Sequence, residues 1–234
     1  NEANGAGGTD DRYGGGMLVQ EVGQVVISNS IFAGNQIDYT GSDNTYGGAL
    51  HIQDTEADIY NNIFAENSVN HYGGAVSTYG LTSSTFRNNH FLNNSGVDGS
   101  GIYLVESTAD ILNNIFSNHD GSTLYAADAV SASGGVSYND WYQNSSDSGG
   151  EFSFSTSSNG NITDDPQLLN YTPDGNFDND DWSLDPGISN HPLVDAGDPS
   201  TSYNDIDGSP SDIGAFGGPG VLDGDGDGYG AFVD

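Results

Sequence analysis

One short block keeps returning along this chain: a glycine pair, a small and an aliphatic residue, then two asparagines and an aromatic. The finishes are Asn29-Ser30-Ile31-Phe32, Asn61-Asn62-Ile63-Phe64, Asn88-Asn89-His90-Phe91, Asn113-Asn114-Ile115-Phe116 and a worn Asn139-Asp140-Trp141-Tyr142. The starts are Gly15-Gly16-Met17-Leu18, Gly47-Gly48-Ala49-Leu50, Gly73-Gly74-Ala75-Val76, Gly99-Ser100-Gly101-Ile102 and an eroded Ala127-Asp128-Ala129-Val130. Aromatic to aromatic, the steps are 32, 27, 25 and 26 residues. A fixed period of roughly 20–50 residues is the signature of a solenoid, in which each unit buries its apolar face only against its neighbours.

The filling of the period decides the kind of solenoid. Runs such as Ala49-Leu50-His51-Ile52 and Ala57-Asp58-Ile59-Tyr60 alternate with period two between Gly, Asn, Asp and Ser, and no long stretch has helical period. Three short strands and three turns fill one period, given roughly 4–6 residues per strand. The reading is all-β: a right-handed parallel β-helix of about five coils, a single-stranded solenoid closed by an irregular C-terminal capping tail. An antiparallel sandwich would not need the same residues in the same order each time. Asn tolerates the left-handed region, and its amide can bond to like amides above and below, so the Asn pairs suit turns. Tyr13, Tyr46 and Tyr72 recur just before glycine pairs and read as a stacked ladder, with a sugar platform as the less favoured role.

Three parts are expected. Residues 1–150 carry the coils, residues 151–220 form the terminal coil and capping tail, and residues 221–234 are an acidic calcium-binding loop. Asn1-Glu2-Ala3 leading to Tyr13 resembles an internal joint, and the chain has no initiator Met or signal peptide, so the chain reads as starting mid-coil. Asp234 falls on the last position of a metal loop, which reads as more chain to follow.

Charge narrows the partners. Asp and Glu number 34 against 2 Lys and Arg, for a formal charge of −32. Such a field repels polyanions, which argues against nucleic acid, and attracts divalent cations that prefer carboxylate and carbonyl oxygen. Cysteine is absent, and no apolar run reaches the roughly 18 residues of a membrane span.

Calcium is the expected cofactor. Asp223, Asp225 and Asp227 occupy positions 1, 3 and 5 of a loop, Gly228 the turn, Tyr229 a carbonyl position and Asp234 the last. A second set is Asp174, Asn176, Asp178, Asp180 and Asp185, with Asn179 in place of the turn glycine. Asp195, Asp198, Asp205, Asp207 and Asp212 suit turn capping better than a third ion. For catalysis the chain offers little. Arg12 and Arg87 are the sole strong cationic side chains, Asp54, Glu56 and Asp58 alternate as a solvated strand face does, and the histidines show no ligand spacing. His71, His90 and His119 are expected at solvent-facing turns. No catalytic residue is assigned.

The Gly-Gly-Ala and Asn-Asn-x-Phe coils resemble bacterial right-handed parallel β-helix repeat proteins and, more distantly, chlamydial polymorphic outer-membrane proteins. The succession Asp165-Pro166-Gln167-Leu168, Trp182-Ser183-Leu184, Pro192 to Asp198, Asp205-Ile206-Asp207-Gly208 and Asp212 to Gly218 is similar to the tail of choice-of-anchor Q proteins, with His191 where that family usually has Ser. The Asp223–Asp234 loop resembles those of dockerins and thrombospondin type 3 repeats, with Gly230 and a terminal Asp as departures. The resemblance implies the fold and an extracellular or cell-surface location, and no single activity. The expected role is a secreted, calcium-stabilised structural protein that self-associates as a homo-oligomer or homopolymer. A glycan-binding or carbohydrate-active β-helix is the runner-up.

Overall fold

The computed structural model describes residues 11–39, 43–80, 84–131 and 134–221. Three parallel sheets run along one axis, and the chain visits them in turn. The first sheet has six rungs: Met17–Gln20, Leu50–Gln53, Val76–Tyr79, Asp98–Val105, Ser122–Ala126 and Ser146–Gly150. The second stacks Gln24–Ser28, Glu56–Tyr60, Ser84–Arg87, Ala109–Leu112 and Val136–Ser137. The third stacks Ile31–Ala33, Ile63–Ala65, His90–Leu92, Ile115–Ser117 and Asp140–Tyr142. This is the parallel β-helix read from the repeat.

Register explains the repeat, because like residues stack on like. Phe32, Phe64, Phe91, Phe116 and Trp141 form one interior stack with centroids 5.0, 4.9, 4.8 and 4.5 Å apart. The second sheet sends in Ile27, Ile59, Phe86, Ile111 and Val136 in register, and the first sends in Leu50, Val76, Ile102 and Leu124. Each such side chain contributes about 1.5–3 kcal/mol only when the coils on both sides are present, which makes the solenoid cooperative along its axis.

The glycine pair has two separate jobs. Its first member turns the chain with positive φ, 69° at Gly47 and 72° at Gly73. Its second member lies against the next coil: a Cβ on Gly48 would strike the carbonyl oxygens of Gly74 and Ser68. Gly48→Ala is therefore expected to cost about 2–3 kcal/mol by overpacking against backbone, whereas Gly23→Ala, with nothing within 4 Å, should leave the thermal midpoint unchanged.

Register also corrects three alignments. Met17 pairs with Leu50 and Tyr13 with Tyr46, so the first glycine pair is Gly14-Gly15, one residue earlier than Gly15-Gly16. Leu124 pairs with Ile102, so the fifth start is Ser122-Thr123-Leu124 and not Ala127–Val130, which lie in the following turn. Trp141, not Tyr142, pairs with Phe116 and continues the aromatic stack.

The two asparagines divide the labour of the second corner. The first takes the left-handed region, with φ of 49° at Asn29, 53° at Asn61, 49° at Asn88 and 55° at Asn113. The second points inward and builds a ladder. The backbone N–H of Asn62 donates to Asn89 Oδ1, that of Asn89 to Asn114 Oδ1 and that of Asn114 to Asn139 Oδ1, at 3.0, 3.0 and 2.9 Å. Each Nδ2 then donates to carbonyls of its own and the preceding coil, so the buried corner is satisfied. A second ladder runs through Asn35, Asn67, Asn94, His119 and Asn144 at the next corner.

Beyond the last rung the chain does not stop at the end of the solenoid. Phe152 and Phe154 pack toward Trp141, and the chain then turns back along the outer face of the third sheet. A hairpin of Leu168–Asn170 with Asp181–Leu184 and the segment from Leu193 to Phe216 cover Ile63, Ala65, Leu92 and Ile115, giving a second core outside the first. The outer asparagines hold this tail by their amides. Asn113 receives the N–H of Asp198, Asn88 donates to the carbonyls of Asp212 and Gly214, Asn61 to those of Ala215 and Gly217, and Asn29 to that of Gly220. The tail thus runs from the fourth coil back to the first.

Candidate metal centre

The acidic residues of the second loop mostly cap their own turns. Asp174 Oδ1 accepts the N–H of Asn176 at 2.9 Å, Asp185 Oδ1 that of Gly187 at 2.8 Å and Asp180 Oδ1 that of Thr172 at 3.2 Å. Asp178 sits in a single 3-10 turn, Phe177–Asn179, and is exposed. Among the described residues no three acidic or histidine side chains converge as a metal-holding group. Asp223, Asp225, Asp227, Tyr229 and Asp234 lie outside the described residues.

The loop gains a neighbour that the sequence does not announce. Glu66, at a left-handed position of the second coil, accepts the N–H of Gly175 at 3.0 Å. Its Oε1 and the Oδ2 of Asp180 are buried with no hydrogen bond. Burial raises the Glu66 carboxyl above its ordinary range, opposed by the Gly175 N–H and reinforced by the charges of Asp180 and Asp174.

Further along the tail, Asp198 and Asp207 cap their own turns as expected, whereas Asp205 and Asp212 tie separate tail segments together. Asp198 accepts from Ser200 N at 2.9 Å, Asp207 from Ser209 N at 2.9 Å and Asp212 from Asp195 N at 2.8 Å, while Asp205 receives the N–H groups of Asp212 and Gly218. Burial pushes Asp205 up to about 6 and Asp212 up to about 7, with the charges of Asp195 and Asp207 adding at both and that of Asp205 adding at Asp212.

Two histidines contradict the expectation of solvent-facing turns, and His51 joins them in the interior. His90 is fully buried, because it takes the place that Ile63 and Ile115 hold in neighbouring coils and lies under the tail. Gly214 rests on its ring, and Phe216 meets it edge-on at 5.6 Å. His119 takes the place of Asn in the second ladder, with Nε2 3.1 Å from the Phe91 carbonyl and Nδ1 3.1 Å from that of Asn94. His51 is buried with Nδ1 2.7 Å from Ser77 Oγ. Burial lowers all three, to about 4 for His51, about 3 for His90 and about 4 for His119. His71 is half-buried and bonds Thr45 Oγ1 at 3.1 Å.

The tyrosine row is a ladder and it is longer than three. Tyr13, Tyr46, Tyr72, Tyr103 and Tyr125 stack at 5.3, 5.1, 4.8 and 5.5 Å, the last two arriving from strands of the first sheet. Faces lying on faces leave mainly ring edges toward solvent, and a sugar platform needs free faces, so the geometry weighs against that role. The alternating acids Asp54, Glu56 and Asp58 are put to different uses. Asp58 forms an ion pair with Arg87 at 3.3 Å, Arg87 lies 4.0 Å over the Tyr60 ring, and Glu56 points to solvent. Asp54 and Glu56, with Val22, Gly23, Thr55 and Gly80, line an open recess at the first corner. Acidic residues also follow the other corners, as with Asp98 and Asp120, and are spread along the solenoid.

A family model described as "Right handed beta helix region" matches residues 9–165. No curated protein and no solved structure matches the chain. The match covers more than half the chain, and its parallel rungs are those seen here, so the chain belongs to the right-handed β-helix family.

Proposed function

We propose that this right-handed β-helix is an exported, calcium-stabilised structural protein that works by self-association or display at a cell surface, without catalysis. The observation that carries the reading is how the outer surface is used. The third sheet is covered by the chain's own tail, the tyrosine faces of the first sheet are spent on one another, and the one acid of the second sheet with a cationic neighbour is already paired. The edge of the first coil stays open among the described residues. Met17–Gln20, Gln24–Ser28 and Ile31–Ala33 each pair on one side, with Leu18, Val26 and Ile31 49, 55 and 45 % exposed. Such an edge accepts further strands. A second copy or an upstream stretch of the same chain can supply them, and light scattering of the full-length protein at millimolar calcium separates the two. Oligomers are the expected result; a persistent monomer overturns self-association.

Calcium supports the same reading through charge. With 34 acidic groups, compaction is opposed by repulsion that bound divalent ions relieve, so ligand linkage raises the midpoint. A chelator is expected to lower the thermal midpoint, and Asp225→Ala with Asp227→Ala to release one ion without unfolding the coils. An unchanged midpoint in chelator sinks the calcium role. The resemblance of coils and tail to exported repeat proteins supports the location, which fractionation of the native host tests.

A further inference from the structure

One buried carboxylate stands out because neither arginine of this lysine-free chain meets it. Asp140 is fully buried on the outer face of the third sheet, in the row where neighbouring coils place Ile31, Ile63, His90 and Ile115. Its Oδ1 accepts the N–H of Asp164 at 2.9 Å, and no hydrogen bond from the described residues reaches Oδ2. A buried carboxylate satisfied on one side costs several kcal/mol unless a counter-charge meets it. The chain has two cationic side chains, Arg12 and Arg87, and both are engaged elsewhere: Arg12 over the Tyr39 ring, Arg87 with Asp58 and Tyr60. The counter-charge must therefore come from solvent, as a proton or as a metal ion.

The surroundings favour the metal ion. Asp164 and Asp165 follow the strand partner Ile162 after Thr163, and both are exposed. Asp165 is committed, one oxygen to the Gln167 N–H at 3.0 Å and the other to the Tyr142 hydroxyl at 3.1 Å. The Asp164 carboxylate carries no such bond among the described residues, and its charge acts on Asp140, to which its own N–H is bonded. A proton on Asp140 would remove its charge, yet would leave Asp164 and Asp165 crowding the same seam. A hard divalent cation satisfies Oδ2 and offsets the crowding together, with carbonyl and water oxygens completing its shell. We propose that Asp140 and Asp164 hold a divalent cation of the calcium class at the seam between the fifth coil and the returning tail. The ion would pin the start of the tail to the last full coil.

The site adds to the calcium-stabilised reading and is separable from it. Isothermal titration of calcium into the chelator-treated full chain at pH 7.5 gives the ion count for the parent, Asp140→Asn, Asp140→Leu and Asp164→Asn. Each variant is expected to bind one ion fewer than the parent. Asp140→Leu, which restores the aliphatic row, should also raise the midpoint in chelator while shrinking its calcium-dependent rise. Should the Asp140 variants misfold, Asp164→Asn changes an exposed side chain and carries the test alone. An ion count equal to the parent's in Asp164→Asn and in the folded Asp140 variants overturns this site and leaves the loop at residues 223–234 in place. A parent that binds no calcium overturns both.

Discussion

Asn114→Leu is expected to unfold the solenoid or to lower its denaturant midpoint by the largest amount of any single substitution at its corners. The side chain is fully buried and serves three coils. Its Oδ1 receives the N–H of Asn89 at 3.0 Å and the amide of Asn89 at 2.9 Å, and its Nδ2 donates to the carbonyls of Phe86 and Leu112 at 2.8 and 2.9 Å. Leucine matches the volume and removes every one of these partners. Each buried group left unpaired costs about 1–3 kcal/mol, so a loss of about 4 kcal/mol or more is expected, comparable to the whole stability of a marginal domain. Asn113→Leu, one residue earlier, touches the tail and not the ladder, and should cost less, about 1–2 kcal/mol of it from leucine at the left-handed φ of 55°, while loosening residues 198–214 to hydrogen exchange. Equal losses at the two positions would contradict the division of labour between the paired asparagines.

That division shows where the sequence is legible and where it is not. The period, the strand grammar and the ladder of Asn and Phe follow from local residue chemistry, because a solenoid repeats its local rules. The fate of the first asparagine does not, since its partner is a carbonyl 156 residues away at Asn61, held by the tail. Three consecutive glycines at Gly14 to Gly16 hide the register of the first coil until strand pairing resolves it. The burial of His90 was open to inference from the repeat itself: it stands where Ile63 and Ile115 stand, and position in the block outweighs residue type. Spacing alone treats Asp174, Asp180 and Asp185 as ligands or as turn caps without distinction, because both roles need a short acidic side chain at a bend. Asp140 is the reverse case. Its sequence position looks like mere erosion of the repeat, and only burial with one orphaned oxygen marks it as a site.

Acidification from pH 8.5 to 6.5, in chelator, is expected to stabilise this protein. Burial raises Asp140 up to about 8, Asp212 to about 7 and Asp205 to about 6, against an ordinary 3.8. A carboxyl raised on folding contributes stability that is full below its unfolded value and is lost as pH rises through its folded one. The loss is thus under way at Asp205 by pH 6 and complete at Asp140 only above pH 8. Histidines act in the opposite sense. His51, His90 and His119 are neutral when folded, with values of about 4, 3 and 4, so their contribution is full above the unfolded 6.5 and declines as pH falls below it. Between 8.5 and 6.5 only the carboxylates change, and protonating them also relieves the −32 charge. Below 6.5 the three histidines oppose the three carboxylates, and the urea midpoint should level off. Asp205 and Asp212 are partly solvated, so Asp140 dominates the upper end, and Asp140→Asn should flatten the rise between pH 8.5 and 7. Repeating the series in calcium gives the sharper contrast: a cation on Asp140 competes with the proton, so the gain on acidification shrinks. A midpoint that falls from pH 8.5 to 6.5 in chelator would mean that the buried carboxylates are already matched by charge at high pH, and the orphaned oxygen of Asp140 would no longer call for one.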